Sequence, residues 1–179
     1  LDKLSLSDEL LKNLFLFPAT STLFYRYENN EWKQIYAANL SEEQKKNIFE
    51  AFEKTFAELN YHPEDVYWEV VEDRGSEITF SALGQNAPLD LKNEWKKENS
   101  ELKLKMVGIL QKHLPDMEVR AAGFTSIDIT QKGIDKEYGV RQIERYLGIQ
   151  IKDMLFVGDA LFPGGNDEAA LRTGIMCFE

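Results

Sequence analysis

Two carboxylates flank a short glycine-rich run near the C-terminal end of the sequence. Residues 158–167 begin with Gly158-Asp159 and end with Asn166-Asp167, and an apolar stretch, residues 154–157, comes directly before them. This stretch predicts a short buried strand, and residues 168–172 predict a following helix. Acidic side chains at the carboxyl end of a parallel strand lie where open α/β sheets bind ligands. Their oxygens suit Mg²⁺, which proteins commonly hold with one or two carboxylates and a substrate phosphate.

The composition argues against several classes of protein. With 31 acidic and 21 basic residues, the net charge is −10, which is unsuited to general binding of nucleic acid because phosphate backbones require clustered cations. No apolar run approaches the roughly 20 residues that span a bilayer, so no membrane partner is expected. The single cysteine, Cys177, permits no internal disulfide and favours a reducing, cytoplasmic location.

The first two thirds of the sequence mix strand patterns with two helical patterns. Residues 14–17 predict a buried strand, and residues 23–27 with 32–36 predict a β-hairpin. Residues 41–44, Ser-Glu-Glu-Gln, have the form of a capping box that opens a helix reaching about residue 59. The remaining patterns predict strands at residues 66–71, 77–81, 117–120 and 125–129, and a charged helix over residues 89–113.

The pattern changes near residue 130. From there, a helix at residues 136–147, a strand, a second short helix and a strand at residues 174–178 alternate, as in a doubly wound parallel sheet. The fold class is therefore predicted to be α/β. Residues 130–179 form the C-terminal part of a Rossmann-like core, residues 22–129 form an α+β module with a mostly antiparallel sheet, and residues 1–21 are a partial core segment.

The acidic run resembles the last motif of the haloacid dehalogenase superfamily, in the subfamily IIB that includes phosphomannomutases and sucrose-phosphate phosphatases. Gly133-Ile-Asp-Lys136 resembles the lysine motif of that family, and residues 125–129 resemble the substrate-contacting strand of the phosphomannomutase cap. The resemblance covers most of the chain, from about residue 14 onward. It implies that residues 22–129 form a cap domain that determines substrate specificity.

The resemblance also implies roles for the residues of both motifs. Asp159 would coordinate Mg²⁺, and Asp167 would bind the metal or hold Lys136, with Asn166 orienting its neighbours. Lys136 would stabilise the charge of the nucleophile and of the transferred phosphoryl group. Each has a structural alternative: the aspartates and Asn166 could cap a helix. Lys136 could be an exposed lysine in a first helical turn, although the helix dipole disfavours a cation there.

Three residues of the module are candidates for contacting substrate. Ser126 and Asp128 point to the same face of a strand, where they could bind sugar hydroxyls or simply meet solvent. Arg74 matches an arginine that contacts substrate in phosphomannomutase caps, or it is a surface residue of a turn. Where those caps carry a phosphate-clamping arginine, this sequence has Gln85. A neutral amide lacks the charged bidentate fork of arginine, which favours a phosphatase over a mutase.

The nucleophile motif of the family, an apolar strand ending in Asp-x-Asp, does not occur in these 179 residues. We therefore expect the intact protein to be a Mg²⁺-dependent phosphatase of a small phosphorylated metabolite such as a sugar phosphate. The reaction would pass through an aspartyl-phosphate on a segment outside this chain. The alternatives are a sugar phosphomutase and a truncated, non-catalytic binding module. The 179-residue chain alone is expected to be inactive and to associate, for example as a homodimer, through an unpaired sheet edge.

Overall fold

The computed structural model describes residues 6–179, and its first sheet lies near the N-terminus. Three antiparallel strands in the order β1-β2-β3 form this sheet. Its elements are helix α1 (Asp8–Leu11), strand β1 (Phe15–Leu16), the single turn α2 (Pro18–Ser21), strand β2 (Leu23–Glu28) and strand β3 (Glu31–Ala37). The predicted hairpin is confirmed. Asn29 and Asn30, which form its turn, both have positive φ, a conformation that asparagine tolerates.

The second sheet has four antiparallel strands in the order β4-β5-β7-β6. Its elements are helix α3 (Glu42–Leu59), strands β4 (Val71–Asp73) and β5 (Ile78–Ser81), helix α4 (Leu89–His113), and strands β6 (Met117–Ala122) and β7 (Ser126–Gln131). The strand predicted at residues 66–71 is wrong for most of its length. Pro63 and the positive φ of Asp65 precede it, and pairing begins only at Val71.

The two faces of this second sheet differ in polarity. Because side chains alternate along a strand, one face carries the fully buried residues Ile78, Phe80, Ile127 and Ile129. Helices α3 and α4 cover that face with Ile48, Phe52, Met106 and Leu110. The opposite face carries polar residues, including Thr79, Ser81, Ser126 and Asp128. The apolar face thus fixes the sheet to its helices and leaves the polar face available for a site.

The ends and bends of the two long helices follow from local chemistry. Helix α3 begins with the predicted capping box: Ser41 Oγ accepts from Gln44 N at 3.1 Å, and Gln44 Oε1 accepts from Ser41 N at 2.8 Å. Helix α4 is kinked at Asn99, whose φ is −122° and ψ 15°.

Among the helices of residues 6–179, none is both long and apolar enough to cross a membrane.

The third sheet is the parallel pair β8-β9. Its elements are helix α5 (Lys136–Leu147), strand β8 (Leu155–Val157), helix α6 (Glu168–Leu171) and strand β9 (Met176–Phe178), with a 3₁₀ turn at Ile151–Asp153. The α-β-α-β alternation and the parallel pairing confirm the Rossmann-like unit. The prediction of a buried strand is wrong, since Leu155 is 57% and Val157 70% exposed. In the described part of the chain, β8 pairs only with β9, and apolar packing from α5 and α6 reaches only the face carrying Phe156 and Cys177.

The N-terminal sheet packs against the C-terminal unit. The ring of Tyr146 in α5 lies 5.5 Å from the ring of Phe24 and 5.2 Å from that of Tyr36, between centroids. The apolar cluster of the second sheet begins only at Leu40. We predicted that the cap begins at residue 22. From these contacts we propose a boundary between β3 and α3 instead, with the first sheet grouped with the core.

Helix α4 contains an exposed glycine that allows a test of local backbone stability. A Cβ on Gly108 would meet no atom within 4 Å. Gly108→Ala is therefore expected to raise the free energy of unfolding by about 0.5–1 kcal/mol, because alanine loses less backbone entropy in a helix. Urea denaturation measures this change. Gly174→Ala is the matched control: it has equal space but a φ of +76°, so it should destabilise the protein. A loss of stability in Gly108→Ala would contradict the expectation.

Candidate active site

The acidic loop connects β8 to α6. Two of its glycines, Gly164 and Gly165, are favoured for different physical reasons. Gly164 has a φ of +82°, which favours glycine. Gly165 has no such φ, but a Cβ there would lie 2.1 Å from the carbonyl oxygen of Ala160. Asp167 N also donates to that oxygen, at 3.1 Å. The loop is thereby folded back on itself, which brings its two ends together.

The two aspartates of the loop differ in burial. Asp159 is exposed, whereas Asp167, directly before α6, is only 6% exposed. The carboxylate of Asp167 packs against Gly158 at the end of β8, where a Cβ would lie 2.5 Å from Asp167 Oδ2. Lys136 Nζ lies 3.6 Å from Asp167 Oδ1. The fold thus brings the lysine motif and the acidic loop into contact.

Lys136 is positioned as the first residue of α5. The N-cap of this helix is Asp135, whose Oδ1 accepts from Tyr138 N at 3.0 Å. Asp135 is buried, and its Oδ2 accepts from Arg172, directly after α6, and from Arg120 in β6, the latter at 3.3 Å. Sequence reasoning assigned no role to Asp135, although an aspartate before a helix is a recognisable cap signal. It ties the lysine motif to both the C-terminal unit and the second sheet.

The candidate residues line two adjoining concavities. Lys136, Gly158, Asp159, Asn166 and Asp167 line one of about 680 Å³. Asp159 and Asn166 also line a cleft of about 340 Å³, whose other wall contains residues 121–124 of the β6–β7 turn with Lys96 and Lys103 of α4. The acidic loop therefore faces α5 on one side and the second sheet on the other.

The carboxylates of the loop suit one kind of metal. Within residues 6–179, no group of three or more His, Cys, Asp or Glu side chains is placed to hold an ion. A structural zinc site, with four nitrogen or sulfur ligands, does not fit this donor set. Mg²⁺ does fit, because one or two carboxylates completed by phosphate and water suffice for it. Asp159 and Asp167 are the residues that would hold it.

Two of the predicted substrate-contacting residues lie on the polar face of the second sheet. Ser126 is opposite Ser81, and Asp128 is opposite Thr79, in the register of β5 and β7. Asp128 Oδ1 accepts from Thr79 Oγ1 at 2.9 Å. Burial raises the pKa of the Asp128 carboxyl, although the Thr79 hydrogen bond and nearby cations oppose this shift. One of these cations is Lys136, so the polar face and the acidic loop share an electrostatic environment.

Arg74, the third predicted contact, is held by two carboxylates. Its Nε donates to Glu72 Oε2 at 2.9 Å, and its Nη1 lies 3.7 Å from Glu77 Oε1. Glu77 is only 2% exposed and also accepts from Thr20 Oγ1 at 2.8 Å. Sequence reasoning did not single out Glu77. The alternation Glu77-x-Thr79-x-Ser81 could have indicated that Glu77 shares a polar face with Thr79 and Ser81. It did not predict burial, because an alternating polar face is usually solvated.

The raised pKa values predict an unusual dependence of stability on pH. Burial, followed by the charge of Asp128, raises the pKa of Glu77. A carboxyl whose folded pKa is raised contributes stability below its unfolded pKa of about 4, and that contribution is lost as pH rises through the folded pKa. In Glu77→Gln the side chain cannot ionise, so the loss of stability that accompanies ionisation of Glu77 does not occur. The free energy of unfolding of this variant, relative to the wild type, should therefore improve as pH rises above about 4, the unfolded pKa, through the raised folded pKa.

Urea denaturation across that pH range measures this difference. Glu72→Gln is the matched control, because Glu72 also binds Arg74 and lies opposite Thr79 in the sheet, but makes no hydrogen bond to Thr79 or Asp128 within residues 6–179. A difference between Glu77→Gln and the wild type that is constant or falls with pH would contradict the expectation.

The position of the missing phosphate clamp has a lysine beside it, but no arginine. Lys92 Nζ donates to the backbone oxygen of Gln85 at 2.7 Å. The side-chain Nε2 of Gln85 is buried, with no hydrogen-bond partner in the described part of the chain. The nearest candidate for a replacement cation, Lys92, is therefore engaged with the backbone.

Comparison with known proteins identifies the family. Residues 2–173 match the family model described as eukaryotic phosphomannomutase. The chain belongs to this family. The family lies within the haloacid dehalogenase superfamily, as the lysine and acidic motifs implied.

Relatives of this phosphomannomutase-family chain are longer than the chain. It is 32% identical over 101 residues to a phosphomannomutase of Saccharomyces cerevisiae. This aligned region covers 54% of the chain and 39% of that protein. It is 26% identical over 157 residues to a phosphomannomutase of Schizosaccharomyces pombe. That aligned region covers 86% of the chain and 59% of the relative. The chain thus spans between two fifths and three fifths of these curated relatives.

Solved structures support the fold of the phosphomannomutase-family chain. A truncated IMP-nucleotidase of Plasmodium falciparum superposes with a TM-score of 0.61 at 14% identity, covering 98% of this chain and 48% of that structure. Such low identity bears on the fold alone. It agrees with an α/β architecture in which a Rossmann-like core carries a cap.

Proposed function

We propose that the intact protein is a Mg²⁺-dependent phosphatase of the haloacid dehalogenase type that acts on a small phosphorylated metabolite such as a sugar phosphate. The observation that carries the proposal is the convergence of Lys136, Asp159 and Asp167 on one concavity that adjoins the cap. Membership in a family of phosphoryl-transfer enzymes supports it. The sequence contains no strand followed by Asp-x-Asp, so the aspartate nucleophile is proposed to lie outside these residues.

In this proposal each loop residue has a chemical task. Lys136 offsets the negative charge of the phosphoryl group, and Asp167 keeps its ammonium group aimed into the concavity. Asp159, the more exposed carboxylate, holds the metal together with Asp167, and Asn166 orients both by hydrogen bonding. Bound Mg²⁺ would neutralise charge on the phosphoryl oxygens.

The cap is proposed to recognise the rest of the substrate. Ser126 and Asp128 lie on the polar face of its sheet and offer a hydroxyl and a carboxyl to sugar hydroxyls. Arg74 is restrained by Glu72 and Glu77, so it would contact substrate as a fixed donor on the same face. Residues 121–124 close the adjoining cleft from the cap side.

Hydrolysis is preferred over mutation because of Gln85. A mutase must grip the distal phosphate of a sugar bisphosphate, and neither the neutral Gln85 nor Lys92, which donates to the backbone of Gln85, supplies the bidentate fork of an arginine. A phosphomutase is the second candidate, and the family model favours it. A third possibility is a non-catalytic binding module.

An activity assay of the full-length protein separates these candidates. Incubation with sugar monophosphates and Mg²⁺ should release inorganic phosphate without a bisphosphate activator. Isomerised sugar phosphate that forms only with a bisphosphate would establish the mutase instead. Absence of both products across a metabolite-phosphate panel would leave the binding module. The 179-residue chain alone should release no phosphate.

Two further proposals concern the oligomeric state of the chain and the cellular location of the protein. The exposed apolar residues Leu155, Val157, Met176 and Phe178 of β8 and β9 favour association of the 179-residue chain alone, for example as a homodimer. Sedimentation velocity would show a monomer if this is wrong. A cytoplasmic location, based on the single cysteine, also stays a prediction.

A further inference from the structure

A buried hydroxyl connects two carboxyl groups on the polar face of the cap sheet. Thr79 Oγ1 lies 2.9 Å from Asp128 Oδ1 and 3.4 Å from Glu77 Oε1. Glu77 and Thr79 are each only 2% exposed. We propose that Glu77 is a positioning residue, which acts through Thr79 to hold Asp128 ready to accept a hydrogen bond from a neutral substrate hydroxyl. This inference rests on the proposed function, because it assigns Asp128 to substrate.

The positioning role implies a direction for each of these hydrogen bonds. A threonine hydroxyl has one proton to donate, and it can also accept. The shorter contact shows that Thr79 donates to Asp128. Over the longer contact, the threonine proton can be shared weakly with Glu77, or a protonated Glu77 can donate to Thr79 Oγ1. The positioning role takes the second arrangement, in which Glu77 is a carboxylic acid, Thr79 relays its hydrogen bond, and Asp128 is the anion that accepts.

Burial favours the neutral form of Glu77, whereas the hydrogen bond from Thr20 opposes it. Its second oxygen, Oε2, accepts from Thr20 in the turn α2 at 2.8 Å. The closest cation, Arg74, is shared with Glu72, to which it is 0.8 Å nearer (2.9 Å against 3.7 Å). Burial and the neighbouring Asp128 raise the pKa of Glu77.

Asp128 has more positive surroundings than Glu77. The charged groups that face the pair from the neighbouring elements are Glu72 and Arg74 from β4 and the turn after it, Lys103 from α4, Arg120 from β6 and Lys136 from α5. Arg120 is itself bound to Glu118 at 2.8 Å and to Asp135 at 3.3 Å. Three cations, Arg74, Lys103 and Lys136, favour the charged form of Asp128, whereas among the cations only Arg74 does so for Glu77, which also accepts from Thr20 and Thr79. The proton therefore belongs on Glu77.

The arrangement bears on the class of substrate. Within residues 6–179, the Oδ2 atom of Asp128 makes no hydrogen bond, so it is available to a ligand. A carboxylate accepts from a hydroxyl but repels a second phosphate. The substrate that fits is a monophosphate whose remaining groups at the cap are neutral hydroxyls.

Carboxyl-carbon NMR titration of the 179-residue chain tests the proton assignment without any activity. Glu77 should titrate at a higher pH than Asp128. Thr79→Val should shift the titration midpoint of Asp128 upward, because the anion loses its hydrogen bond, and Thr79→Ser should restore it. Glu72→Gln should leave the midpoint of Asp128 near its wild-type value. An ionised Glu77 beside a protonated Asp128 at neutral pH would overturn the inference.

Kinetics of the full-length protein test the consequence for substrate. Thr79→Val should raise KM for a sugar monophosphate about tenfold, as expected for losing the orientation of one charged hydrogen bond, with kcat changed less than about twofold. Glu77→Gln, which keeps a neutral donor, should resemble the wild type, and Glu77→Leu should resemble Thr79→Val. Equal effects of Glu77→Gln and Glu77→Leu would overturn the positioning role. If the wild type releases no phosphate, the proposed function fails, while the titration still decides the state of Glu77.

Discussion

Asp159→Asn is expected to lower Mg²⁺-dependent phosphate release by the full-length protein at least about 100-fold, because metal stabilisation of phosphoryl charge contributes several kcal/mol. The substitution replaces an anionic ligand with a neutral amide of the same shape. Asp159 is exposed in its loop and makes no side-chain hydrogen bond in the described part of the chain, so its replacement should leave the fold intact.

A matched control separates the metal role from a general loss of negative charge. Asp153 is also an exposed aspartate of the C-terminal unit, but it lines neither concavity. Asp153→Asn should keep phosphate release within about twofold of the wild type. The concentration of Mg²⁺ needed for half-maximal activity should rise only in Asp159→Asn. Equal losses in both variants, or full activity of Asp159→Asn, would reject Asp159 as a metal ligand.

Phe80→Ala is expected to destabilise the protein by about 3–5 kcal/mol, the usual cost of removing a buried aromatic ring. Phe80 is fully buried, and its ring lies 5.9 Å from that of Phe52 and 5.6 Å from that of Phe56. These contacts join β5 to α3. Their loss leaves a cavity between the cap sheet and the helix that covers it.

Trp68→Ala is the matched control for this prediction. Trp68 and Phe80 are both large aromatic residues, a type that usually contributes to a protein core. In the structure, Trp68 is 55% exposed. Its replacement should lower the free energy of unfolding by less than half as much as Phe80→Ala. Thermal or urea unfolding compares the two, and equal losses would mean that the Trp68 ring packs more tightly than its exposure indicates.

Much of the secondary structure could be predicted because its signals are local. The capping box at Ser41 and Gln44 uses only neighbouring residues, so it fixes the start of α3 before any tertiary contact forms. The alternation of helix and strand after residue 130 similarly reflects hydrophobic periodicity within each segment. The acidic loop was recognisable because metal chemistry and tight turns restrict the residue types within one short run.

Burial was predicted less well because it depends on what lies opposite a segment. The apolar run ending at Val157 reads as a buried strand, yet Leu155 and Val157 are exposed on a face that α5 and α6 do not pack against. In contrast, Glu77 reads as a solvated charge on an alternating strand and is almost fully buried. A sequence shows which faces of a strand or helix are polar or apolar, but it does not show which element packs against each face.

The sequence by itself determined the family, the α/β class and the residue types available for chemistry: Lys136, Asp159, Asn166 and Asp167. Only the tertiary structure decided which residues act together. It brought Lys136 to 3.6 Å from Asp167, seated Asp135 between Arg120 and Arg172, and placed Thr79 between Glu77 and Asp128. The physical reason is that charge, hydrogen bonding and pKa depend on distances across the fold. Periodicity and capping depend on distances along the chain.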